Sequence, residues 1–138
     1  MTDWLNEAEQ QISTVEKLCA GCARALSLRL TTLLLDRIGN PLASQLVDLL
    51  PEREKKLFSG TLLELEGGDS SIGYPAFLEH AGAMVSHPLL SEFVDSFLSG
   101  IYQALPKSLS ARVAAVLPLE LRYPFLGIPR DHSFEEAV

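Results

Sequence analysis

The chain has 138 residues, 47% of them apolar and 21% charged, with 18 acidic against 11 basic side chains and a net charge of −7. That length and balance fit one globular domain, residues 1–138, with a substantial core, and they exclude a disordered chain. The acidity argues against a nucleic-acid partner, which needs a clustered basic surface to displace counterions from phosphates. The densest basic run, Arg53, Lys55 and Lys56, alternates with Glu52 and Glu54 and reads as a solvated helix face.

No membrane span is expected. The longest apolar region, residues 26–38, is interrupted by Arg29, Thr31, Thr32, Asp36 and Arg37, well short of the roughly 18 uninterrupted apolar residues a span requires. The first ten residues are acidic and lack the basic start and apolar core of an export signal. With two cysteines and no such signal, the expected location is the reducing cytoplasm.

In chain order, Thr2 or Asp3 can cap a first helix in which Trp4, Leu5, Ala8 and Ile12 share a face. Ser13, followed by Glu16 three residues on, has the form of a capping box and predicts the start of a second helix. That helix, with a possible kink at Gly21, carries the stripe Leu18, Cys22, Leu26, Leu30, Leu33, Leu34 and Ile38. Gly39 stops it, Asn40 caps the next, and Pro41 takes a position where its missing N–H costs nothing. Leu42, Leu46, Leu49 and Leu50 form the following buried stripe. Pro51 then ends one helix and opens another, with Gly60 as its expected stop.

Residues 66–73 are rich in Gly, Ser and Asp and predict a connection. Beyond it the pattern repeats. Phe77 to Val85 follow the chemistry of Trp4 to Ile12 at an offset of 73, and Pro118 echoes Pro51 at an offset of 67. At that second offset Leu30, Leu34, Ile38, Leu46, Leu50 and Phe58 match Phe97, Ile101, Leu105, Val113, Leu117 and Phe125. A fixed-offset echo of apolar, Pro and Gly positions is the mark of a duplicated supersecondary unit. The expected organisation is repeat one at about 3–60, a linker at about 61–73, repeat two at about 74–127 and a charged tail at 128–138. In repeat two, Pro88 is expected to open the long helix, Pro106 to end it and Ser108 to cap the next. Pro124 and Pro129 oppose any further long helix. No stretch alternates apolar and polar residues as a strand would. The predicted fold is therefore all-α, a helical bundle built from two pseudo-equivalent multi-helix repeats.

Three features carry the resemblance to a known family. These are the aromatic-Leu starts Trp4-Leu5 and Phe77-Leu78, the junctions ending Leu50-Pro51 and Leu117-Pro118, and the Leu119-Glu120-Leu121-Arg122 segment after the second. In them the chain resembles the DUF2267 family of bacterial proteins over nearly its whole length up to Gly127. The resemblance implies a small helical domain of uncharacterised activity and supplies no catalytic residues.

Cys19-Ala-Gly-Cys22 is the sharpest local motif. A CxxC pair can serve as a redox dithiol or as half of a zinc site. Within an apolar helical stripe it can equally be two small buried side chains on one face, which is the reading adopted. His80 and His87, seven residues apart, do not have the spacing of a tight ligand pair. With His132 they form no recognisable catalytic arrangement, and they read as a helix-surface residue, a turn residue and a tail residue. Gly67-Gly68 lacks the Lys-Ser/Thr ending of a phosphate loop, and Glu64, Glu66 and Asp69 lack the ladder of a calcium loop. Phe93, Phe97, Tyr102, Tyr123 and Phe125 read as core.

No catalytic, cofactor-binding or metal-ligating residue is assigned on these grounds. The functional expectation is a non-enzymatic protein-interaction or regulatory module, binding an unknown protein partner or self-associating. The alternatives are a thiol-based redox or metal-responsive regulator using Cys19 and Cys22, and a carrier of an apolar ligand in a helical cavity.

Overall fold

In the computed structural model of the protein, residues 3–18, 21–64, 71–85 and 89–128 are described, with residues 61–64 described by backbone alone. Among the described residues eight helices follow one another: α1 (Trp4–Val15), α2 (Cys22–Ile38), α3 (Leu42–Val47), α4 (Glu52–Glu64), α5 (Tyr74–Met84), α6 (Leu90–Ala104), α7 (Lys107–Val116) and α8 (Leu119–Phe125). There is no strand among the described residues.

Local chemistry sets most of the boundaries. The Asp3 carboxylate accepts the Asn6 N–H at 3.0 Å and starts α1, whose Trp4, Leu5, Ala8 and Ile12 are fully buried. Gly39, at φ +68, ends α2 in the left-handed region and donates its N–H to Leu35 O. The Asn40 side chain then accepts from both the N–H and the hydroxyl of Ser44, fixing the first turn of α3. Pro51 and Pro118 stand immediately before α4 and α8.

Four boundary expectations are corrected. Ser13 does not open a second helix: its hydroxyl donates back to Glu9 O, Thr14 donates to Gln11 O, and α1 runs on to Val15. Gly21 is a break rather than a kink, because its φ of +84 places it ahead of α2 instead of inside it. Gly60 does not stop α4, which continues through it to Glu64 and so takes in the first residues of the expected linker. Ser108 is not a cap, since α7 begins at Lys107 directly after Pro106 without a side-chain cap. Pro124 lies in the last turn of α8, which stays short at seven residues, as its Pro predicts. Pro88 and Pro129 lie outside the described residues.

Packing crosses the two halves of the chain. α1 packs on α6 and α2 packs on α5, while α3 meets α7. Within each half α1 also packs on α2, and α5 on α6. Gly100 permits a close approach of α6 to α1: a Cβ there would sit 2.9 Å from the Ala8 Cα. The Trp4 indole N–H donates to Leu46 O at 2.7 Å, tying α1 to the end of α3. Arg112 donates to the Gln45 side chain between α7 and α3, and these two residues are 67 positions apart. Arg122 donates from Nε to Ala114 O at 2.7 Å and from Nη2 to Leu117 O at 2.8 Å, satisfying the C-terminal carbonyls of α7. Leu50 and Leu117 are 2% and 1% exposed, and Phe58 and Phe125 are both buried.

Candidate functional site

The last turn of α6, the first turns of α7 and the chain just after α8 border a half-open hollow of about 520 Å3. Its position follows from two sharp stops. α6 ends at Ala104, and Leu105 turns the chain into Pro106 and α7. α8 ends at Phe125, and Leu126 and Gly127 carry the chain away in a turn, with Gly127 at φ +80. Leu105, Ala111 and Leu126 supply the apolar wall, and Tyr102, Gln103 and Lys107 the polar groups.

Two contacts fix the wall. The buried Ser110 also lines the hollow, and its hydroxyl donates to Tyr102 O at 3.3 Å, holding α7 against α6. The Tyr102 ring meets Phe125 edge-on at 5.3 Å, with the planes 71° apart, so that one side rests on the core and the rest stays in the opening. No carboxylate and no histidine line the hollow, and Lys107 has no hydrogen-bond or ion-pair partner among the described residues. Those side chains can hold an apolar body and meet a polar or anionic end. They include no carboxylate or imidazole to act as a general base.

Tyr102 is 37% exposed, whereas Leu35, 67 positions earlier, is fully buried. Lys107 stands 67 positions after Asn40, whose side chain is taken up by Ser44. Helix α4 has 13 residues and α8 has 7, so the second half is shorter beside the hollow.

A second groove, of about 340 Å3, is lined by Arg37 of the first half and by Ile72, Gly73, Pro75, Pro118 and Glu120. Glu120 accepts the Tyr74 N–H at 3.1 Å, where a carboxylate complements the N-terminal end of α5. Val116 and Leu119, on either side of the Leu117-Pro118 junction, are both exposed.

The residues singled out in the sequence do not converge. Cys22 is the first residue of α2, half-buried and disulfide-bonded, and Cys19 lies outside the described residues. The expectation of two buried thiols inside a helical stripe is therefore corrected, because the left-handed Gly21 places Cys22 at a helix start. His80, half-buried on α5, accepts from Arg29 Nε through Nδ1 at 2.9 Å, while His87 and His132 lie outside the described residues. So do Glu66, Gly67, Gly68, Asp69 and the side chain of Glu64. Among the described residues no three His, Cys, Asp or Glu side chains are grouped to hold a metal ion, and no helix is long and apolar enough to cross a membrane.

Phe93, Phe97 and Phe125 are fully buried, but Tyr123 is half-buried and Tyr102 is exposed, which corrects the expectation that all five aromatics are core. Lys107 and Gln103 had no motif to mark them. The available signal was the departure from the echo, where Leu35 and Asn40 give way to Tyr102 and Lys107.

Comparison of the chain with protein-family models, curated proteins and solved structures found no match.

Proposed function

We propose that the protein is a non-enzymatic binding module of two similar four-helix units, whose ligand enters the hollow between α6, α7 and α8. The hollow carries this reading. Its volume, about 520 Å3, falls in the range of small-ligand pockets, roughly 300–1,000 Å3, and it pairs an apolar wall with a few convergent polar groups. The two-unit organisation, and with it the resemblance to the DUF2267 family, is supported by the crossed packing of α1 on α6 and α2 on α5. It is supported further by the Gln45–Arg112 contact, since residues near a two-fold axis meet their own counterparts. In such a duplication one unit can retain the structural part while the other opens a face to a ligand.

The test is a titration of isotopically labelled protein with decanol, a neutral amphiphile, followed by backbone amide shifts. Saturable shifts confined to residues 102–111 and 126 are expected. Absence of saturable shifts, or shifts centred elsewhere, refutes the reading.

A second reading has its own observation, the disulfide at Cys22 on the first residue of α2. A cysteine at a helix start lies where the dipole favours the thiolate, which suits a thiol–disulfide regulator. Two electrons and two protons from an added dithiol would open the bond to two thiols. Thiol counting on the native protein after mild dithiol treatment distinguishes the outcomes. Release of both thiols without loss of helix supports regulation, and resistance until unfolding refutes it.

A further inference from the structure

We infer that the hollow takes a single-headed anionic amphiphile, of which a free medium-chain carboxylate is the simplest form, with its head on Lys107 and its chain against Leu105, Ala111 and Leu126. The inference rests on the binding-module reading and adds the chemical class of the ligand. Acidic residues outnumber basic ones by 18 to 11, so an anion is repelled by most of this surface. The wall of the hollow departs from that balance: it has no carboxylate, and its one charged group is the Lys107 ammonium.

Lys107 stands at the start of α7, where the helix field has the same sign as its charge. Gln103 and Tyr102 add an amide and a phenol that can donate to a carboxylate's second oxygen. A cationic head would find no carboxylate on the lining, and a neutral hydroxyl head would keep the apolar wall and the Gln103 and Tyr102 hydrogen bonds but gain no charge attraction from Lys107. A ligand charged at both ends would leave its second charge against Leu105, Ala111 or Leu126 without a partner.

The contribution of the head is modest because Lys107 is exposed. A single solvent-exposed ion pair corresponds to a preference of roughly two- to fivefold, which weakens as salt is raised. The experiment is calorimetric titration of the full chain with decanoate and with decanol at low and high salt. It uses wild type, Lys107→Gln and Ala111→Trp, each checked for native helix content and melting.

Wild type should bind decanoate about two- to fivefold more tightly than decanol, with the gap closing at high salt. In Lys107→Gln the ratio should fall to about one, and in Ala111→Trp, where an indole fills the opening, both ligands should be lost. Equal affinities in wild type, or a preference that survives Lys107→Gln, overturn the head-group assignment while leaving the hollow as a site. Undiminished decanoate binding by a folded Ala111→Trp variant overturns its location. Failure of both ligands to bind wild type overturns the binding-module reading itself.

Discussion

Trp4 shows how a single side chain can join helices that are distant in sequence. Its ring is fully buried, and its one polar atom reaches Leu46 O, 42 residues away. Trp4→Phe keeps most of the apolar volume and removes the donor, so a loss of about 0.5–1.5 kcal/mol is expected from denaturant midpoints followed by circular dichroism. Gly100 acts by having no side chain. A methyl there would press on the Ala8 backbone at 2.9 Å and on Gln11 Cγ at the same distance. The backbone contact cannot be relieved by rotating a side chain, so Gly100→Ala should cost about 1–3 kcal/mol by the same measurement. The burial of Trp4, Leu5, Ala8 and Ile12 was legible from their spacing alone. The indole's acceptor and the role of Gly100 were not, because both depend on a helix brought in from far along the chain.

At the scale of the element, punctuation was legible where two signals coincided and misleading where one stood alone. Gly39 was followed by Asn40 and Pro41, and Pro51 was echoed by Pro118; all of these fall at helix boundaries. Gly60 had no such support. Glycine is not barred from a helical conformation, and α4 continues through it to Glu64. A Cβ at Gly60 would meet nothing within 4 Å. Gly60→Ala should therefore raise stability by about 0.5–1 kcal/mol, read as a higher denaturant midpoint at unchanged slope. A cap at that position would give the opposite sign. Ser108 offers a complementary case. As a cap its replacement by Ala would cost about 1 kcal/mol; inside the first turn of an uncapped α7, the change should stay within about 0.5 kcal/mol in the same melts.

For the whole molecule, the helical class and the order of the elements were legible in the 67-residue echo, but the crossing of the halves was not. Periodicity marks which face of a helix is buried and leaves open which helix covers it. The hollow was hidden for the same reason, since Tyr102, Lys107, Ala111 and Leu126 become one wall only when α6, α7 and α8 are brought together. Because α1 rests on α6 and α2 on α5, neither half keeps its core if the other is lost. This crossed packing is the claim on which the proposed two-unit organisation rests. Its most direct test is a pair of denaturant melts on Leu50→Ala and Leu117→Ala, the junction leucines that are 2% and 1% exposed. Each variant should lose about 2–5 kcal/mol and unfold in a single transition with the wild-type slope, because each leaves a comparable cavity in one shared core. One severely destabilised variant beside one indistinguishable from wild type, or a melt that splits into two steps, would contradict the account.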